Sequence, residues 1–354
     1  MGGRVRYGAR TPDELLNREV KATSVGAWST SLTASYETDP EVVAAVLPPP
    51  LEPTDRPLVR VSVARVDVFT DRPFAGNPAA AVLDADGLGE AEMQAIAREM
   101  KTPGTAFVSA SPRPDADHGL RKFTPTREVA YSGHTTLGAV RTLLDAGRLS
   151  SERVVFATTQ GLLPVAIEAR ADGSVLWLEP PLPVCAAFDG SLADVLAALG
   201  LAESRLGRWA RPAVTPDTDL LLAVVDLAAL HALRPNLGRL DEIGTALGLR
   251  AFCLVSPETV EPSSGAHSRF FAPQFGIPED IVTGSVHSSL AVWLHEAGRL
   301  RESDGIAAFT AEQGDVLGRP GRLAVEVHTS SGRASRVRVG GRAVTVLTGR
   351  LYLP

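Results

Sequence analysis

Three side chains able to hold or move a proton stand beside two glycines. His134 follows Gly133 in the word S-G-H-T-T, while Asp280 and Ser285 flank Gly284 in E-D-I-V-T-G-S. A histidine titrates near neutrality, an aspartate beside a helix N-terminus is favoured as an anion, and a serine there can donate to a carboxylate. Together they suit proton transfer on a small acid. Each also has a plainer reading: a histidine after glycine as a cap or core residue, Asp280 as a turn or N-cap, Ser285 as a helix-start residue. What joins the three is placement, because both glycines open the same sequence word.

Residues 132–149, SGHTTLGAVRTLLDAGRL, are echoed by residues 283–300, TGSVHSSLAVWLHEAGRL, with Gly133 matching Gly284, Leu143 matching Leu294 and Ala-Gly-Arg-Leu closing both. Upstream, R-K-F-T-P at 121–125 recurs as R-F-F-A-P at 269–273. Downstream, F-A-T-T-Q-G at 156–161 recurs as F-T-A-E-Q-G at 309–314. A period of about 150 residues is too long for a solenoid and reads as one domain made twice. Each copy has apolar residues at helical spacing and a glycine placed to act as a left-handed C-cap. If the two helices face each other across a pseudo-two-fold axis, two sets of unpaired backbone N–H groups and two positive dipole ends converge, which suits a small anion. Otherwise they are two ordinary capped core helices.

Around these helices the periodicity predicts a half-buried strand from Val61, V-x-V-x-R-V-D-V-F, and a Pro/Gly/Asn turn with a returning strand over 70–83. A helix is predicted to Met100, with Met93, Ile96, Ala97 and Met100 on one face. Strands follow at 105–110, 120–123, 154–157, 163–169 and 175–178. The second copy reads as a helix over 191–199 capped by Ser191, a buried strand over 220–225, a helix over 239–247 stopped by Gly248, and strands at 251–256 and 267–271. After its glycine helix comes a meander of short antiparallel strands. The architecture expected is α+β, with two pseudo-symmetric domains, residues 61–180 and 181–354, each a curved sheet wrapped on a central helix; the last strand is placed where it can cross back. Residues 1–60 differ in character and carry prolines at 48–50, 53 and 57, so they read as an attached extension.

Composition narrows the partners. The chain has 354 residues, 44% hydrophobic, enough for two domains of ordinary size. Acidic residues outnumber basic ones, 41 against 35, with no Lys/Arg run, which argues against nucleic acid or an anionic membrane surface. No stretch approaches eighteen uninterrupted apolar residues, Asp226 breaking the richest one. Cys185 and Cys253 lack C-x-x-C spacing and the N-terminus lacks an apolar h-region, so a reducing cytoplasm is the expected setting. There is no G-x-G-x-x-G after a strand, no G-x-x-x-x-G-K-[ST] and no H-E-x-x-H, and neither cysteine falls at a helix start. No cofactor and no metal are expected.

With these words in hand, the chain resembles the PhzF-like family, named for phenazine biosynthesis, within the diaminopimelate epimerase-like fold. The resemblance is carried by V-A-R-V-D-V-F-T-D-R-P-F-A-G-N-P-A-A-A-V-L (63–83), F-T-P-T-R-E-V-A-Y-S-G-H-T-T-L (123–137), R-F-F-A-P-Q-F-G-I-P-E-D-I-V-T-G-S-V-H-S-S-L (269–290) and G-R-P-G-R-L-A-V-E-V (318–327). It implies two similar domains with a cofactor-free site between them, homodimers, and substrate contact or proton movement by His134, Asp280 and Ser285, with Gly133, Thr135 and Gly284 alongside. Asn77 and Gly76 of the A-G-N-P turn either line that cleft or form a plain turn. In the family a glutamate in an S-E-T-x-F loop takes a proton from a carbon acid; here the loop reads T-P-G-T-A-F and the glutamate position is Gly104, which cannot titrate. Glu99 and Glu128 lie near in sequence but read as a solvated helix residue and a strand residue. Residues 36–53 are separately similar to the opening of acetoacetate decarboxylase-like proteins, a match that stops short of that family's Schiff-base lysine.

Two functions follow as expectations. The first is a cofactor-independent isomerase or epimerase of a small carboxylic acid, with Asp280 or His134 carrying the proton in place of the missing glutamate. The second is a degenerate homologue that binds a small carboxylate without turnover.

Overall fold

The computed structural model describes residues 4–5, 20–21, 59–171 and 173–353, which fall into two compact units, Met1–Val59 with Leu353–Pro354 and Arg60–Tyr352. In the first unit β1 (Arg4–Val5) pairs antiparallel with β2 (Val20–Lys21). The proline-rich stretch and the decarboxylase-like words at 36–53 lie outside the described residues. The second unit carries every candidate residue.

Its first half runs β3 (Val59–Val68), β4 (Asn77–Leu83), α1 (Glu90–Met100), β5 (Gly104–Ala110), β6 (His118–Phe123), α2 (Gly133–Asp145), β7 (Arg153–Thr158), β8 (Gly161–Arg170) and β9 (Gly173–Leu178). The second half runs β10 (Ala186–Ala187), α3 (Ala193–Leu199), β11 (Ala213–Val214), β12 (Asp219–Ala223), α4 (Leu227–Ala232), α5 (Leu237–Leu247), β13 (Ala251–Ser256), β14 (Ala266–Ala272), β15 (Ile277–Asp280), α6 (Gly284–Glu296), β16 (Ile306–Gln313), β17 (Gly321–Ser330), β18 (Arg333–Gly341) and β19 (Ala343–Leu353). From β3 onward the strands form one long, curved sheet.

The duplication read from the sequence is repeated in the strand directions. In the first half β4 and β5 are parallel, β5 and β6 antiparallel, β6 and β7 parallel, and β7, β8 and β9 antiparallel. In the second, β12 and β13 are parallel, β13 and β14 antiparallel, β14 and β16 parallel, and β16, β17 and β18 antiparallel. β18 also pairs with β9, Val339 opposite Leu178, so the two halves share a ladder.

Both central helices stop the same way. Gly147 (φ 66°) and Gly298 (φ 65°) take the left-handed turn, and the following arginine N–H groups reach back to Leu143 and Leu294 at 2.9 Å. A residue with a Cβ is strained in that turn, which is why glycine recurs there. In both copies, too, the arginine two residues before the β6 or β14 phenylalanine lies over its ring, Arg121 on Phe123 at 5.1 Å and Arg269 on Phe271 at 5.0 Å.

Period-two alternation decides which way each strand faces. On β12 and β13, Leu220, Leu222, Phe252 and Leu254 pack under α3, α4 and α5, while Leu221, Ala223, Cys253 and Val255 pack on α6 through Leu290 and Trp293. Strands covered on both faces read as unbroken apolar runs, as 220–225 does. In the first half Ala64, Val66, Ala79, Ala81, Ala106 and Leu120 face α2 through Leu137 and Val140. Two local readings are corrected and one is extended. Ser191 is not the N-cap: α3 starts at Ala193 after Leu192, and Ser191 Oγ only accepts from the Ala193 N–H at 3.4 Å. Asp226 does more than break an apolar run, since it caps the unpredicted helix α4 through the Ala229 N–H. α5 starts at Leu237, two residues before the predicted position, because Asn236 accepts from the Arg239 N–H.

Among the buried strand positions that depart from the apolar rule is a lysine. Lys122 lies opposite Ala106 on β6, where the second copy has the buried Phe270, and it is 2% exposed with no hydrogen-bond partner for Nζ among the described residues. Burial pushes its ammonium down from the ordinary 10.5 to about 8, against the opposing pull of Glu128. A folded pKa below the unfolded one means that the unfolded chain binds more protons between pH 8 and 10.5, so stability rises with pH across that window. We predict that Lys122→Met stabilises the fold at pH 7 by about 1–3 kcal/mol and removes that rise, read from denaturant midpoints at pH 7, 8 and 10.

Candidate functional site

The start of α2 is built from Ser132, His134 and Thr135. Ser132 is the N-cap residue in extended conformation, yet its side chain caps no helical N–H. Its hydroxyl is turned aside to Thr135 Oγ1 at 2.7 Å, and Thr135 Oγ1 lies 3.3 Å from His134 Nε2. Thr136 sends both its N–H and its hydroxyl to the Ser132 carbonyl, at 3.1 and 2.9 Å, which fixes the entry of the helix. The first-turn N–H groups are therefore left without a side-chain cap, the condition an anion satisfies.

The start of α6 repeats this with different residues. Thr283 is its N-cap residue and likewise makes no side-chain cap. The Thr283 hydroxyl instead donates to Asp280 Oδ2 at 2.7 Å. Gln313 braces the corner: Nε2 donates to the Asp280 carbonyl at 2.8 Å and to Thr283 Oγ1 at 3.1 Å, while Oε1 accepts from the Thr283 N–H at 3.2 Å. His287, fully buried, holds the Thr283 carbonyl through Nδ1 at 2.7 Å, and burial pushes its imidazole down to about 4, so it serves as a neutral donor.

Asn77 joins the two helix starts. It opens β4 in the first half, is fully buried, and its Nδ2 donates across to the Val282 carbonyl at 2.7 Å and to Asp280 Oδ1 at 3.2 Å. Two residues on, Ala79 pairs in parallel with Gly104, and a Cβ built on Gly104 would stand 3.4 Å from His134 Nε2 and 2.0 Å from Thr135 Oγ1. The structure thus brings His134, Thr135, Gly104, Asn77 and Asp280 together. Electrically they communicate as well: burial lowers the His134 pKa, and the Asp280 carboxylate acts in the opposite sense on the same ring. The imidazole is neutral at neutral pH, with a carboxylate near enough to stabilise its protonated form.

The remaining candidates divide. Ser285 is half-buried at the second position of α6, and its carbonyl takes the Ser288 hydroxyl at 3.0 Å. Gly133 lies beside the Tyr131 hydroxyl and Leu178, next to a cavity of about 550 Å³ lined by Lys122, Tyr131 and Leu178. Gly284 lies under the ring of Phe69, whose Cζ would be 3.1 Å from an added Cβ. At Gly76 the close approach that glycine permits is made by the chain's own Val68 carbonyl, 2.2 Å from an added Cβ, and Arg319 donates to the Gly76 carbonyl at 3.0 Å. Gly76 therefore shapes the turn that presents Asn77. Glu128 is held by Arg121 at 2.6 and 2.8 Å, which lowers its pKa and occupies it, and Glu99 is exposed. Sequence reasoning missed Gln313 and the Ser132–Thr135 pair. The repeated Q-G word at 160–161 and 313–314 was the available signal for Gln313.

Residues 66–349 match the PhzC-PhzF family model, described as phenazine biosynthesis-like protein, and residues 12–74 match that of acetoacetate decarboxylase. The chain is 36% identical over 302 residues to an uncharacterized isomerase of Pseudomonas aeruginosa, covering 83% of this chain and all of that one. It is 32% identical over 294 residues to trans-2,3-dihydro-3-hydroxyanthranilate isomerase of the same organism, covering 81% of this chain and 98% of the relative. Among solved structures, a Bacillus anthracis phenazine biosynthesis protein of the PhzF family superposes with a TM-score of 0.76 at 26% identity, over 83% of this chain and 100% of that one. A hydroxyproline epimerase from Agrobacterium vitis, at 15% identity and a TM-score of 0.51 over 83% of this chain and 91% of that one, shares the fold.

Replacing Asn77 by Ala removes the side-chain donor of the buried Val282 carbonyl and the donor to Asp280 Oδ1, leaving Asp280 only the Thr283 hydroxyl on Oδ2. The expected cost is about 1–3 kcal/mol, read as a lowered denaturant midpoint at unchanged slope; an unchanged midpoint would show that the tie does not hold the two helix starts.

Proposed function

The chain belongs to the phenazine biosynthesis-like PhzC-PhzF family, and on that premise we propose that it is a cofactor-independent isomerase or epimerase moving a proton on a small carboxylic acid. The substrate carboxylate is received by the uncapped first turns of α2 and α6, with Gly133, Gly284 and Thr135 alongside and Ser285 donating to it. His134 takes the proton from the carbon acid through its neutral imidazole, and Asp280 stabilises the imidazolium until the proton is returned to another position. Asn77 holds Asp280 in place, and Gly104 stands where the family's glutamate would. The observation that carries this reading is that His134 and Asp280, close enough for the carboxylate to act on the ring, stand at two helix starts whose N-cap side chains make no cap.

A second reading, binding without turnover, is favoured by Thr135, whose hydroxyl fills the space that a side chain at position 104 would need. Proton exchange from D2O into a panel of small amino and hydroxy acids, followed by NMR, separates the two. The isomerase reading expects deuterium at a carbon adjacent to the carboxylate, with His134→Gln and Asp280→Asn each slowing exchange by about 10²- to 10⁴-fold. A carboxylate that raises the melting temperature without exchange supports the second reading. The absence of both exchange and any carboxylate-induced melting shift would sink both readings.

Two further outcomes follow from the geometry. Because burial lowers the His134 pKa, its base form persists below the ordinary 6.5. Exchange should therefore stay level through neutral pH and be lost only at more acidic pH, in a pH–rate profile. Gly104→Glu should raise exchange more in company with Thr135→Ala than alone, since only the double variant clears the 2.0 Å overlap.

A further inference from the structure

β14 and β16 run parallel with His267 opposite Glu312. Both side chains are fully buried, and His267 Nδ1 lies 2.8 Å from Glu312 Oε2. Glu312 is already an acceptor for the N–H groups of Val260 and Glu261, at 2.7 and 2.9 Å, so its partner on the imidazole must be an N–H. That places a proton on Nδ1 and turns Nε2 toward Asp315 Oδ2, 3.8 Å away, with no hydrogen-bond partner of its own among the described residues. A carboxylate on one imidazole nitrogen and a free second nitrogen is the arrangement that orients a metal-ligating histidine. A second imidazole stands beside it: His231, on α4, packs edge-on to His267 with ring centroids 5.2 Å apart, and its Nε2 is also buried and, among the described residues, unpartnered.

Charge points the same way. Glu261, Glu312 and Asp315 surround a single guanidinium, that of Arg322, at 2.8, 3.7 and 3.0 Å. The neighbouring Arg269 is taken by Glu279 at 2.8 Å. Negative charge is thus in excess where two imidazole nitrogens lack partners.

We propose that His267 Nε2, Asp315 Oδ2 and His231 Nε2 form a binding site for a borderline divalent cation, zinc in the first instance, with Glu312 orienting His267 from behind. The 3.8 Å gap between the first two donors is one that a single ion bonded to each at about 2.0–2.1 Å spans; the His231 ring, 5.2 Å from that of His267 between centroids, has to rotate toward the gap to supply the third. Two imidazoles and one carboxylate favour zinc over magnesium, which prefers an all-oxygen shell. The site is distinct from the helix starts but adjoins them. Glu312 precedes Gln313, and Ser268, next to His267, lies 3.4 Å from both His287 Nε2 and Gln313 Oε1.

The test uses the full chain, stripped with chelator and titrated with ZnCl2 or MgCl2 by calorimetry and thermal melting. We expect one equivalent of zinc, a raised melting temperature and no magnesium response. An anomalous zinc peak between His267 and Asp315 is expected in crystals. Glu312→Gln should weaken zinc about 10- to 100-fold, and His267→Gln should abolish binding at this site. His231→Gln, a substitution at a half-buried surface position, should weaken it as well and guards against a His267 variant that fails to fold. No zinc uptake, undiminished affinity in the His231 and Glu312 variants, or a peak elsewhere, such as at His295 and Glu302, would overturn the proposal.

Discussion

A single buried carboxamide sets the terms for the rest of the molecule. Asn77 spends both N–H groups on the other half of the chain, one on the Val282 carbonyl and one on Asp280, while its own oxygen is buried without a partner among the described residues. An unpaired buried acceptor costs about 1–3 kcal/mol, so this position is poor for stability alone. It is good for register, since the bond forms only when the start of β4 and the start of α6 are side by side. Much nearby structure serves that end. Arg319 grips the Ala75 and Gly76 carbonyls and Asp67, and Phe69, in a left-handed conformation, receives the Arg322 N–H on its carbonyl and covers Gly284 with its ring.

Duplication explains why two helix starts exist, and divergence explains why they differ. The ends of α2 and α6 are the same motif, and Arg121 and Arg269 each lie over a phenylalanine and pair with a glutamate. The starts have parted: the first offers an imidazole and a hydroxyl pair, the second a carboxylate braced by Gln313. The two starts therefore present different groups, which two identical copies would not do. The same divergence put Lys122 where the second copy keeps Phe270, and gave the second half three helices, α3 to α5, over the outer face of its sheet.

The buried His267–Glu312 pair shows how electrostatics propagates through this frame. Glu312 gathers two backbone N–H groups and an imidazole, and the next residue, Gln313, gathers the corner that holds Asp280. Consecutive residues of one strand point to opposite faces. One strand therefore serves the polar cluster with one residue and the helix start with the next.

The sequence by itself determined the duplication, the α+β class, the central helices with their glycine stops, and most strands, because these rest on local periodicity and on one residue's freedom to adopt positive φ. It also marked His134, Asp280 and Asn77 by residue type. What it could not carry was distance. Residues 77 and 280 are far apart along the chain, and nothing local says that their side chains meet; parallel pairing of β4 with β5 and the shared ladder of β9 and β18 decide that. Nor could it tell that Thr135 fills the space above Gly104, that Gly76 serves its own turn, or that His267 faces Asp315. Those depend on which atoms are packed against which, and packing of that kind exists only once both halves have folded together.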